Sequence, residues 1–287
     1  MTRILSYRCR PAFLFAAVIL TACTEVIDIE LDSTYTRLVV FGTVTTDSLH
    51  HQVRLSTTSD YFSNQQAPAV SNALVELHAG EQILRLEESD SVAGLYHSPV
   101  AFRGVPGTRY RLLISQVDIN GDGTPETYDA TSTMPGMPLL DSIRLEYFQS
   151  PYFSGYRVML YAQDSPKREW YSYQIWKNRD LLTDELSDYM VQSDDFINGE
   201  YIFGYPVRFM LDDDPRSALY PGDTVTLEMS SIGKDFYDFI SDAQLEIIGS
   251  IPLFSGPPAN VRSNISNDGK GVFAAYSLKR VAAVVKP

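Results

Sequence analysis

The chain has 287 residues, with 36 acidic side chains against 23 basic ones and a formal charge of −13, a balance that excludes a basic nucleic-acid groove. Its length fits one or two domains with a core of their own. Eighteen tyrosines and 14 phenylalanines, many in alternation, point to half-buried strands.

The N-terminus carries Arg3, Arg8 and Arg10 and no acidic residue before Glu25. An apolar stretch from Pro11 to Leu20 follows, too short for a spanning helix and suited to a signal h-region. It ends in Leu20, Thr21, Ala22 and Cys23, a branched apolar residue and two small ones before a thiol, which is the pattern of a bacterial lipobox. Residues 1–22 are therefore expected to be a lipoprotein signal peptide, with Cys23 the lipidated residue, and 23–36 an acidic tether. Cys9 lies in the removed segment, so no disulfide or cysteine metal site is expected in the mature chain.

The first strand is expected at Arg37–Thr45, where the continuous apolar centre suggests cover on both faces. Asp47–His51 reads as a turn, and Gln52–Thr58 alternates as the returning strand of a hairpin. After a polar loop at 59–69, period-2 strands recur at 70–78, 82–87, 94–96 and 105–115, separated by Gly and Pro turns, as a β-sandwich requires. Tyr110, Leu112 and Ile114 are expected to alternate inward. The character changes past Met134, Pro135 and Gly136, which places a domain boundary near Pro138 and gives domains 37–137 and 138–287. The second domain alternates at 142–147, 156–161, 170–176, 206–211 and 223–229. One helix is predicted over 234–247, where Phe236, Phe239, Ile240, Ala243 and Ile247 fall at helical spacing. The fold class is thus mainly β: an N-terminal sandwich of prealbumin-like or Ig-like type, then a β-rich domain with one helix.

Two resemblances add to this. The order Ala73, Val75, Leu77, then Gly94 and Tyr96, then Gly107, Tyr110, Leu112 and Ile114 resembles the prealbumin-like sandwich of carboxypeptidase regulatory-like domains. The tail has Pro257 and Pro258, then Val261 before Ser263, Asn264 and Ile265. Gly269 and Gly271 follow, and then an aromatic strand from Phe273. With the lipobox, Leu38, Val40 and Gly42, the strand at Ala73, and Asp141, Ser142 and Ile143, the chain resembles the Bacteroidetes lipoproteins of domain-of-unknown-function family 4249 over nearly all of its mature length. Ala274 stands where the family often has glycine. Members are typically encoded beside TonB-dependent outer-membrane receptors, and their biochemical activity is not established.

Catalytic signatures are not found: there is no Gly-x-Ser-x-Gly elbow, HExxH pair, phosphate loop or dinucleotide fingerprint. His50 and His51 sit in the predicted turn and read as exposed polar residues rather than metal ligands. The segment 118–129 stands out. Asp118, Asn120 and Asp122, then Gly123, and Asp129 at the twelfth position, follow the spacing of calcium loops of EF-hand and dockerin kind. Backbone oxygen of Thr124 and a water near Glu126 would complete the shell. The flanks read as strands and Asp129 replaces the usual Glu, so the segment equally suits a hairpin whose polar tip needs Asn and Gly. Asp followed by Ser or Thr and then an apolar residue or Thr occurs at Ser33, Ser48, Ser91, Ser142 and Thr224, and resembles the O-glycosylation motif of exported Bacteroidetes proteins.

The expectation from residues and resemblance together is a non-enzymatic outer-membrane lipoprotein, facing the periplasm or the cell surface, that assists a TonB-dependent receptor and takes calcium as its only candidate cofactor. A surface hydrolase acting on glycans or peptides, or a structural or adhesive envelope protein, are the alternatives. Only the sulfur of Cys23 can carry a thioether-linked lipid. Cys23→Ala is therefore expected to move the protein from the detergent to the aqueous phase and to remove the lipid mass by mass spectrometry. A variant that still partitions with the parent and retains lipid would refute the lipobox.

Overall fold

The computed structural model describes residues 36–58, 67–195, 199–249 and 261–286. Cys23, Ser33 and all of the predicted signal peptide lie outside the described residues. The described chain is mainly β. Its strands are β1 (Leu38–Thr45), β2 (Gln52–Thr57), β3 (Leu74–Ala79), β4 (Gln82–Glu88), β5 (Leu95–His97), β6 (Arg109–Val117), β7 (Glu126–Thr133) and β8 (Leu140–Gln149). There follow β9 (Ser154–Gln163), β10 (Trp170–Lys177), β11 (Asp180–Leu181), β12 (Met190–Ser193), β13 (Tyr201–Leu211), β14 (Thr224–Ile232) and β15 (Lys270–Val284). A single α-helix among the described residues, α1, spans Lys234–Gly249.

Twelve strands form one sheet in the order β11-β10-β14-β15-β1-β2-β5-β4-β3-β6-β7, with β12 also paired to β10. The three-residue β5 carries this sheet from β2 to β4. Beyond it the sheet turns back so that the inner residues of β1 and β2 meet those of β3, β6 and β7. Leu38, Val40, Leu55, Val75, Leu77, Tyr110, Leu112 and Ile114 make this first core. The predicted inward alternation of Tyr110, Leu112 and Ile114 is observed, each being buried. Tyr110 also closes a turn, its hydroxyl accepting the Val105 N–H at 2.8 Å. Tyr96 does the same for the strand before, accepting from Ala73 N–H at 3.0 Å and donating to the Val70 carbonyl at 3.1 Å.

A second core lies between β10, β14 and the end of β15 on one side and a three-stranded sheet, β13-β9-β8, on the other. Ile143, Val158, Leu160, Ala162, Val207 and Met210 face Tyr173, Ile175, Val225, Leu227 and Met229 there. The helix covers a third cluster, packing Phe236 and Ile240 against Val272 and Ala274 of β15. The boundary expected near Pro138 falls between β7 and β8. The last strand spans both sides of it, contributing Phe273 and Ala275 to the first core and Val281 and Ala283 to the second.

Three expectations need correction. β1 is not covered on both faces, since Phe41 is 40 % exposed while Leu38 and Val40 are fully buried. The strand sealed on both faces is β15, where the run Val272 to Ala275 is buried throughout because α1 lies over its outer side. Ile247 does not share the buried stripe of the helix and is 49 % exposed. His51 is buried, edge-on to Phe102 at 4.4 Å, with Nε2 3.1 Å from the Phe102 carbonyl. Burial pulls its imidazole below the ordinary histidine value, so only His50 of the pair behaves as an exposed turn residue.

Gly271 is required where β15 runs parallel to β1. It pairs with Val40, has φ +93°, and a Cβ there would come within 1.9 Å of the Val40 carbonyl oxygen. Gly222 has a similar φ of +95° but open space around it. Gly271→Ala is therefore expected to cost about 3 kcal/mol or more, against about 1 kcal/mol for Gly222→Ala, where only the backbone conformation is penalised. Urea unfolding at unchanged m-value measures both, and equal losses would show that the close approach is not the cause.

Candidate functional site

The three-stranded sheet has one face in the second core and one outside. Alternation assigns the sides: on β9, Val158, Leu160 and Ala162 are buried, so Arg157, Met159 and Tyr161 point outward. Register then carries the outer face across the neighbouring strands. Arg157 lies opposite Glu146 on β8 and Phe209 on β13, and Tyr161 lies opposite Phe203. The outer face is thus aromatic over most of its length. Phe148 meets Phe153 and Phe209 edge-on at 5.8 and 5.6 Å, and Phe203 meets Tyr201 and Tyr161 at 4.8 and 6.3 Å.

Two arginines sit among these rings. The Arg144 guanidinium stands 4.8 Å from the Tyr161 ring centre, and that of Arg157 stands 5.8 Å from Phe148 while pairing with Glu146 at 3.5 Å. Such contacts fix the arginine heads over the rings. Even so the rings remain open to solvent: Phe203 is 83 % exposed, with Phe153 and Phe209 each at 48 %. Full burial of one phenylalanine is worth about 2 kcal/mol, so this face leaves substantial free energy to be gained by a partner that covers it.

A second feature opens beside the same sheet. Tyr173, Met190, Tyr205, Val207 and Tyr237 line a cleft of about 440 Å³ between β12 and β13. Burial, with smaller contributions from Tyr205 and Asp164, pushes the Tyr173 phenol above its ordinary value, so it enters the cleft as a neutral hydroxyl at any physiological pH.

The 118–129 segment forms the β6–β7 hairpin. Its tip gathers Asp118, Asn120 and Asp122, but their oxygens are engaged locally. Asp118 Oδ1 accepts the N–H groups of Gly121 and Asp122 at 2.8 and 3.2 Å, and Oδ2 accepts that of Gly123 at 2.9 Å. Asn120 Oδ1 accepts the Asp122 N–H at 3.0 Å. Asp122 Oδ1 accepts that of Thr124 at 2.7 Å, which holds the Asp122 carboxyl below the usual range. Asp129 is not brought to this cluster. It sits on β7 opposite Leu113, three residues beyond the Val117–Glu126 pair that opens the tip, hence about 10 Å along the strand. There its carboxylate bonds Arg111 Nε at 3.2 Å. No group of three or more His, Cys, Asp or Glu side chains is arranged to hold a metal ion among the described residues. The tip thus has the hydrogen bonding of a polar hairpin turn, with Asp129 set apart from it along β7.

Of the Asp-Ser/Thr positions, Ser48 and Ser91 lie on exposed turns, whereas Ser142 and Thr224 are half-buried in β8 and β14, opposite Tyr161 and Val284. The aromatic outer face was missed in the sequence because the strand expected at 206–211 begins five residues earlier. The alternation of Tyr201, Phe203 and Tyr205 across Ile202 and Gly204 was the available signal.

A family model described as "Domain of unknown function (DUF4249)" matches residues 24–280. No curated protein matches the chain.

The hairpin tip makes a direct expectation. Asp118→Ala removes the acceptor of three backbone N–H groups at a solvated turn and should lower stability by about 1 kcal/mol. With Asp129 bound to Arg111, Ca²⁺ should leave the melting temperature of metal-stripped protein unchanged. A calcium-dependent rise that disappears in Asp118→Ala would instead establish a calcium loop.

Proposed function

The chain belongs to the DUF4249 family, and from that premise we propose that it is a non-enzymatic accessory protein, anchored to the outer membrane through lipid on Cys23, that serves a TonB-dependent receptor by capturing ligand or covering the channel. The observation that carries this reading is the aromatic outer face of the β13-β9-β8 sheet. Phenylalanines at 48 to 83 % exposure, Phe153 and Phe209 held edge-on by Phe148 and Phe203 by Tyr201 and Tyr161, form a contact surface braced by its own rings. Such a surface loses little side-chain entropy when a partner covers it. Aromatic rings and arginine are the residue types that concentrate binding energy at protein interfaces, and both are present here.

The receptor enters through the family resemblance, whose members are encoded beside such receptors. No helix among the described residues is long and apolar enough to cross a membrane, and on this reading Cys23 supplies the attachment. Protease shaving of intact cells would assign the side of the outer membrane.

The test is affinity purification of the acylated chain from native outer membranes, comparing the parent with a Phe203→Ser, Phe209→Ser double variant. Phe203 is largely and Phe209 about half exposed, and neither belongs to a core, so the variant should fold and melt close to the parent. A TonB-dependent receptor is expected with the parent and at least about tenfold less with the variant, a loss of two ring contacts each worth about 1 kcal/mol or more. Reproducible absence of any such receptor from the parent would overturn the proposal, and undiminished capture by the variant would remove the aromatic face from it.

A further inference from the structure

The opposite end of the large sheet carries an arginine-lined cleft that the proposal above does not use. On β6, Tyr110 and Leu112 enter the first core, so Arg109 and Arg111 stand on the outer face. Arg111 lies opposite His78 of β3 on one side and Thr131 of β7 on the other. The three side chains therefore form a row across adjacent strands on one face. Together with Arg109, Gly80 and Asp129 they line a cleft of about 490 Å³. Gly80, at φ +61°, has nothing within 4 Å of where a Cβ would be, which keeps the rim open.

The donors in this cleft outnumber their partners. Arg111 gives only Nε to Asp129, at 3.2 Å, which leaves its terminal Nη groups to spare from the five N–H donors of a guanidinium. Arg109 makes no ion pair among the described residues, and its one hydrogen bond is a long 3.4 Å contact from Nη2 to Thr131 Oγ1. His78 Nε2 is shut off from solvent and has no hydrogen-bond partner, a state that costs free energy until the nitrogen is satisfied. The lining of the cleft itself holds two guanidinium groups, Arg109 and Arg111, against the one carboxylate of Asp129. That local excess of positive charge occurs on a chain whose net charge is −13.

We propose that this cleft is an oxyanion site, which holds the carboxylate or phosphate group of a ligand between Arg109 and Arg111, with the Thr131 hydroxyl as a further donor. Guanidinium forks bind both kinds of oxyanion through paired, charge-assisted hydrogen bonds. Asp129 fixes the orientation of Arg111 and occupies one of its edges, leaving to the ligand the other edge and, beyond its long contact to Thr131, the guanidinium of Arg109. The site is independent of the receptor and of the aromatic face.

Isothermal titration of the full chain in detergent, at ionic strength held constant with chloride, tests this with two probes, inorganic phosphate and succinate. Saturable one-to-one binding of either probe is expected, and which of them binds assigns the ligand group. The Arg109→Gln, Arg111→Gln double variant should bind at least about tenfold more weakly, the loss of two charge-assisted bonds. Arg109→Gln alone, which breaks no ion pair, should weaken binding about threefold or more with an unchanged melting temperature. Absence of saturable binding for both probes would overturn the proposal, as would affinity unchanged in Arg109→Gln and in the folded double variant.

Discussion

The parallel pairing of β15 with β1 is the constraint on which the rest of the structure depends. A parallel pair cannot be closed by a hairpin, and here the connection is nearly the whole intervening chain. The residues of β15 serve three cores in turn. Phe273 and Ala275 close the first, Val272 and Ala274 receive the helix, and Val281 and Ala283 face the small sheet. A strand buried on both faces must be almost wholly apolar with small residues where layers approach, which accounts for the run Val272, Phe273, Ala274, Ala275. Gly271 lets that run begin against the Val40 carbonyl. Ala274, after Phe273, is a side chain small enough to lie under α1 at 2 % exposure.

A charged cluster pins the same strand at its middle. Arg280 reaches Glu228 of β14 at 2.6 Å and Asp47 of the β1–β2 turn at 2.7 Å, and its guanidinium stands 5.6 Å from the Trp176 ring. Burial pushes the Glu228 carboxyl above its usual range, and the adjacent guanidinium opposes that push. Removing one member of such a group would leave a buried charge uncompensated, so the cluster opposes any slip of β15 against β14 or β1 more than it adds to stability outright. One register of β15 satisfies Glu228, Asp47 and the three cores together.

Much of this was legible in the sequence, because period-2 alternation reports which residues face a core regardless of which strand lies next door. The hairpin of β1 and β2, the inward set on β6 and the helix at Lys234 all follow from local pattern. Pairing partners do not. Nothing in the residues 37–45 says that their second neighbour lies 231 positions away, so the apolar run reads as a strand sealed on both faces although Phe41 lies at an open one. His51 departs from its expected exposure for the same reason: its burial comes from Phe102, 51 residues on. The calcium spacing counts Asp129 with the tip, whereas its place on β7 opposite Leu113 and its bond to Arg111 set it apart, which a linear count cannot see.

The manner in which the aromatic sheet face is exposed also limits the kind of contact it can make. β13 is an edge strand, and a long apolar edge invites backbone pairing with any extended chain. Two register shifts, between Phe203 and Tyr205 and between Pro206 and Arg208, interrupt it. Pro206 further removes an amide donor from its centre. A strand so broken is a poor template for β-addition, yet its outward rings are held firmly by neighbours on β8 and β9. Recognition through this sheet must therefore run through side-chain shape, with Phe203 and Phe209 presented and the main chain withheld, and that demands a partner whose surface is matched to the rings.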